Sequence, residues 1–173
     1  MSSHAEVDAD ARALASVVRM RILRLCLDEA LTNKQIAERL GKDPATTYHH
    51  VRTLAARGFL AAEAERRGAR GAREIPYRAT KKSWRTDIGE AGSRLLIETF
   101  LEEVAEAPPS SVVASRLGVR LGSEAYEQLH RRLGDLLQEY ADLEPDPEGT
   151  PYSIFVAVHE DVARGRRARD SNP

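Results

Sequence analysis

Residues 32–60 read TNKQIAERLGKDPATTYHHVRTLAARGFL, and the fold turns on them. Thr32 is followed three residues later by Gln35, the spacing at which each side chain satisfies a backbone N–H left open at a helix start. A short helix, Asn33 to Leu40, follows. Gly41 ends it, because glycine enters the left-handed region without a Cβ penalty. Asp43 then supplies an N-cap, and Pro44 takes the first helical position, where a missing N–H costs nothing. The next helix runs from about Pro44 to Arg57 and is closed by Gly58. Within it Thr47, Val51 and Leu54 recur at i, i+4 and i+7, so one stripe faces inward. At about 100° per residue, Ala45, Tyr48, His49 and Arg52 point outward, Thr46 lies to one side, and His50 falls beside the core.

Working outward, Ala11 to Leu27 carries apolar residues at helical spacing from Leu14 to Cys26 and reads as one first helix. On the other side, Phe59 to Glu65 and Ile75 to Thr80 read as two strands around an arginine-rich loop, Arg66 to Glu74, that contains Gly68 and Gly71. Helix, short helix, tight turn, helix and basic hairpin is the layout of a winged helix-turn-helix.

Charge supports this division. The net charge of -1 averages two opposite halves. Between Arg52 and Arg85 ten basic residues stand against three acidic ones, whereas between Thr86 and Glu160 fifteen acidic residues stand against five basic ones. Only the first half suits a polyanion.

The segments Arg19-Met20-Arg21-Ile22-Leu23-Arg24-Leu25, Gln35-Ile36-Ala37-Glu38-Arg39-Leu40-Gly41 and Thr46-Thr47-Tyr48-His49-His50-Val51, leading to Leu54 and Gly58, resemble the ArsR-like winged-helix transcriptional regulators. The resemblance is to the larger branch with an added C-terminal region, and it covers roughly Ala13 to Thr80. It implies a homodimer, a repressor, bound to an inverted-repeat operator in double-stranded DNA, with the helix after Asp43 in the major groove and the wing beside or in a flanking minor groove. The expected DNA-contacting set is Lys34, Gln35, Ala45, Thr46, Tyr48, His49, Arg52, Arg66, Arg67, Arg70 and Arg73. The chain departs from the family in two places. Val17 stands where many members have proline, and Leu31 to Gln35 lacks the cysteines of the metal sensors.

Beyond Trp84, Glu90 to Ala107 is helical and is stopped by Pro108-Pro109. Val113 to Leu121 alternates as a strand, and a long helix runs from Ser123 to about Glu144. In that helix Tyr126, Leu129, Leu133, Leu136, Tyr140 and Leu143 form a heptad seam. Tyr152 to Val158 alternates again. The expected fold is α+β and mainly helical: a winged helix-turn-helix, then a helix and a small strand-helix-strand module. The expected organisation is a tail at 1–10, the DNA-binding domain at 11–82, a linker at 83–89, a module for dimerisation and any small-molecule effector at 90–160, and a basic disordered tail at 161–173. The seam covers either its own small sheet or a second subunit.

Composition narrows the function. The chain has no apolar run near the roughly 20 residues of a membrane span and no secretory leader, so a cytoplasmic protein is expected. The lone Cys26, in an apolar stripe, excludes intrachain disulfides. His49 and His50 diverge by about 100° on a helix and cannot share an ion. His130, His159, Glu160 and Asp161 do not follow the spacing of a known metal cage. With no phosphate loop and no nucleophile setting, neither an enzyme nor a cofactor or metal site is expected. The rival to operator DNA is a winged-helix module for RNA or for protein docking. Four arginines on one hairpin argue against docking, and the narrow deep groove of A-form RNA argues against RNA.

These readings predict that DNA binding survives a strong chelator and that Cys26→Ser leaves DNA affinity intact, as measured by duplex titration. Stoichiometric metal whose removal abolishes binding would contradict this.

Overall fold

A computed structural model of the chain describes residues 4–68, 73–86 and 88–165, in two units, Met1–Ser110 and Ser111–Pro173. The first unit contains helices α1 (His4–Leu14), α2 (Val17–Leu25), α3 (Asn33–Arg39), α4 (Pro44–Ala56) and α5 (Gly89–Glu106). Its strands are β1 (Leu31–Thr32), β2 (Leu60–Ala62), β3 (Arg66–Arg67), β4 (Arg73–Glu74) and β5 (Pro76–Ala79). The fold class is α+β and mainly helical.

The expected first helix is two helices, and residues 4–10, expected as a tail, open the first of them. Ser16 stands between the two as N-cap of α2, accepting the Arg19 N–H at 3.5 Å. The Arg19 guanidinium turns back to the last carbonyls of α1, those of Arg12 (3.0 Å) and Ala13. Apolar periodicity runs on across this break, so the pattern alone reads as one element.

The caps around α3 and α4 form as their spacing requires. Thr32 Oγ1 accepts the Gln35 N–H at 3.3 Å while Gln35 Oε1 accepts the Thr32 N–H at 3.0 Å. Asp43 Oδ1 accepts the N–H groups of Ala45 and Thr46 at 2.9 and 3.0 Å. Gly41 takes φ +59° in the turn between the helices, and Asn33 Nδ2 spans it to the Pro44 carbonyl at 2.8 Å. Thr47, Val51 and Leu54 are fully buried against Leu14, Ile22, Leu31, Ile36 and Phe59. Truncating one such leucine to alanine costs about 2–5 kcal/mol, a large part of a domain's roughly 5–15 kcal/mol.

The sheet is antiparallel with order β1-β5-β2, pairing Leu31 with Tyr77 and Leu60 with Ala79. β1 is two residues long, too short for alternation to reveal it. Beyond β2 the hairpin continues as a separate ladder, Arg66 opposite Glu74 and Arg67 opposite Arg73.

Helix α5, expected within the C-terminal module, packs instead on α2. Arg21 Nη2 meets Glu106 at 2.5 Å and Arg24 Nε meets Glu103 at 3.0 Å, so the acidic face of α5 lies along a basic face of α2. The boundary falls after this helix, not before it.

In the second unit α6 (Ser123–Ala141) is followed by a helical turn, α7 (Val162–Gly165), inside the stretch expected as a disordered tail. Arg166, Arg167 and Arg169 lie outside the described residues. The strands expected at 113–121 and 152–158 are not formed, because alternation supplies two faces but a strand also needs a hydrogen-bonded neighbour. None of the described residues of this unit is buried.

One polar cluster joins distant parts of the first unit. Asp10 of α1 is 13% exposed and accepts from Arg57 Nε at 2.7 Å and from Lys82 Nζ at 2.5 Å. Lys82 Nζ also donates to the Arg57 carbonyl at 2.8 Å and lies 4.6 Å from the centre of the Phe59 ring. Burial raises the Asp10 pKa, but the hydrogen bonds and charges of Lys82 and Arg57 outweigh it and leave the carboxyl below its ordinary 3.8. A depressed carboxylate stabilises the fold above its unfolded pKa, and that contribution is lost as pH falls through the folded value. Asp10→Asn is therefore expected to cost about 2–4 kcal/mol at neutral pH. Denaturant titrations from pH 7 to 2.5 should show the variant losing less stability on acidification than the wild type. Parallel pH curves would show that the cluster contributes nothing.

Candidate nucleic-acid interface

The buried stripe of α4 determines what the other side offers. Ala45, Thr46, Tyr48, His49 and Arg52 are all exposed, Tyr48 at 45%. The Arg52 guanidinium lies over the Tyr48 ring at 5.9 Å, and the Tyr48 and His49 rings are tilted at 6.3 Å between centres. The result is a mixed aromatic and cationic face on the first three turns. Such a face suits hydrogen bonding and apolar contact at base edges in a groove wide enough for a helix.

His50 is different. It is half-buried, and loss of solvent, followed by the positive charges of Arg19 and Lys42, lowers its pKa and favours the neutral ring. It belongs to the packing beneath the face.

At the start of α3, Lys34 is exposed, whereas Gln35 is engaged. Its Oε1 caps Thr32 and also accepts from Arg66 Nη2 at 2.8 Å. That oxygen therefore ties β3 to the α3 N-terminus. In the sequence Gln35 and Arg66 stand as two separate members of the expected DNA-contacting set, and the structure joins them.

On the wing, Arg66, Arg67 and Arg73 are exposed, and Arg73 lies 3.3 Å from Glu65. Arg70 lies outside the described residues. The charge count overstates what the surface presents, because Arg57, Arg78 and Lys82 are bound internally. Arg78 holds Glu63 at 2.5 Å and the Asp28 carbonyl at 2.8 Å, tying the hairpin to the loop after α2. Among the described residues, the exposed basic side chains on this side include Lys34, Arg52 and the arginines of β3 and β4.

Cys26 is fully buried, and loss of solvent pushes its thiol up to about 11. Among the described residues no group of three or more His, Cys, Asp or Glu side chains is placed to hold a metal ion. No described helix is long and apolar enough to cross a membrane.

Residues 14–62 match the family model described as "Helix-turn-helix domain". No curated protein matches the chain. Among solved structures, an ArsR-like transcriptional regulator from Rhodococcus sp. RHA1 is 19% identical over 82% of this chain and 95% of its own, with a TM-score of 0.41. Reduced HlyU from Vibrio cholerae N16961 is 20% identical over 56% of this chain and 88% of its own, with a TM-score of 0.38. The homodimeric winged helix-turn-helix DNA-binding domain Mb0332 from Mycobacterium bovis, titled a possible ArsR-family regulator, is 26% identical over 58% of this chain and 82% of its own, with a TM-score of 0.37. By its element order and its matched segment, the first unit is a helix-turn-helix domain followed by a β-hairpin wing. It is the kind of domain with which transcriptional regulators bind DNA.

A histidine whose folded pKa is depressed contributes stability that is fully present above its unfolded pKa of about 6.5 and is lost as pH falls through that value. His50→Gln is expected to flatten the loss of stability between pH 7.5 and 5.5, measured by thermal unfolding. An unchanged slope would show that His50 is as well solvated folded as unfolded.

Proposed function

We propose that the chain is a DNA-binding transcriptional regulator that acts as a homodimer on an inverted-repeat operator and represses transcription from it. The observation that carries this is the exposed α4 face, Ala45, Thr46, Tyr48, His49 and Arg52, in the same unit as an arginine-bearing hairpin. In this reading α4 enters the major groove by its N-terminal turns, Lys34 and the arginines of the wing bind phosphates, and repression follows from occupying the promoter. Dimerisation involves the first helix and the C-terminal half. A cytoplasmic location follows from that role.

The two surfaces do different work, and titration against operator and scrambled duplexes at several salt concentrations separates them. Tyr48→Ala and His49→Ala should relax sequence preference by about 1–3 kcal/mol at particular base pairs. Arg67→Ala and Arg73→Ala should weaken operator and scrambled DNA alike, flattening the salt dependence by about one unit of slope for each phosphate no longer neutralised. Equal losses from all four substitutions, or none from any, would place the DNA-binding face elsewhere. Tighter binding of duplex RNA in the same assay would replace the DNA reading.

A further inference from the structure

Helix α6 carries a seam that its own chain leaves largely uncovered. Tyr126, Leu136 and Tyr140 are 45%, 50% and 59% exposed, and Leu143, which the sequence pattern places inside the helix but which lies past its end at Ala141, is 57% exposed. Leu129, Leu133 and Leu136, with Leu117, Val119 and Leu121, wall an open apolar groove of about 750 Å³. A lone soluble chain rarely leaves a contiguous apolar patch larger than a few hundred Å² in water. A unit in which none of the described side chains is buried cannot offset a backbone entropy of about 1–2 kcal/mol per residue. The cover must be large, on the order of 800 Å² from each side in a stable complex.

The order of residues along the seam says what the cover is. Tyr126, Leu129, Leu133, Leu136, Tyr140 and Leu143 are spaced three, four, three, four and three, which reads the same in both directions. Laid antiparallel on its own copy, the helical part of the seam matches Leu129 with Tyr140 and Leu133 with Leu136, each pair occurring twice about a two-fold axis, and brings Tyr126 towards Leu143, which lies just beyond the end of the helix at Ala141. Every tyrosine then faces a leucine. In the same register Arg132 and Glu139, each one residue before a seam position and both exposed, come opposite each other's copies. Within their own chain neither forms an ion pair among the described residues; the salt bridge of this helix is Arg131 with Glu127. A parallel pair would stack each tyrosine on its own copy and set Arg132 across from Leu137, with no charge match.

We propose that α6 pairs antiparallel with α6 of a second copy of this chain, the two-fold axis passing between Gly134 and Asp135. This rests on the homodimeric reading above and specifies its interface, direction and register.

Sedimentation equilibrium of the full chain tests it by charge exchange. Arg132→Glu should raise the dimer dissociation constant about tenfold or more, since two like-charge pairs replace two opposite ones. Glu139→Arg should do the same. The double variant R132E/E139R should return to within about threefold of the wild type. Both sites are exposed, so helicity by circular dichroism should hold throughout. A wild type that stays monomeric overturns this proposal and the homodimeric reading together. A dimer indifferent to both single reversals, or a double variant no better than the singles, overturns the proposal alone and leaves the dimer to another surface.

Discussion

The first unit depends on α4 burying Thr47, Val51 and Leu54 completely while leaving Tyr48, His49 and Arg52 in solvent. Full burial of Val or Leu contributes about 1.5–3 kcal/mol each. A roll of α4 by one residue, about 100°, would withdraw that stripe and push an arginine and an aromatic ring towards the core. The outward face is thereby held to within a fraction of a turn by the packing on the opposite side of the helix. Thr47 fits the stripe because its hydroxyl bonds to the Asp43 carbonyl at 2.9 Å, so a polar group is buried but satisfied.

Local chemistry was legible and long-range chemistry was not. The caps at Thr32 and Asp43, the turn at Gly41 and the buried stripe are decided within a few residues, where spacing is the whole of the geometry. The break at Ser16 was hidden, because Arg19 caps α1 through its side chain while the apolar pattern continues. The pairing of α5 with α2 joins Arg21 to Glu106 across most of the unit, and no local pattern announces it. Net charge misled in the same way. Ten basic residues between Arg52 and Arg85 look like one surface, yet Arg57, Arg78 and Lys82 act as internal braces and only some of the rest are available.

The C-terminal half shows a different limit. Helix α6 follows from its periodicity, but alternation at 113–121 and 152–158 predicts strands only if something pairs with them. An alternating segment states which side chains share a face and is silent on who occupies the neighbouring edge. In the isolated chain no ladder forms there, and the apolar residues of both segments other than the half-buried Phe155 remain exposed.

The two halves meet in the arithmetic of recognition. In the proposed mode an α4 face of five residues would reach only a few base pairs, and each correct pair is worth about 1–3 kcal/mol. One half-site therefore discriminates weakly against a genome of competing sequence. In the proposed homodimer, two such faces would turn the second binding step into an intramolecular one, at an effective concentration in the millimolar range for short connections, and square the discrimination. Between Thr86 and Glu160 acidic residues outnumber basic ones fifteen to five, so this stretch is poorly suited to bind phosphate. That segregation of charge suits the dimerising role proposed for the C-terminal half.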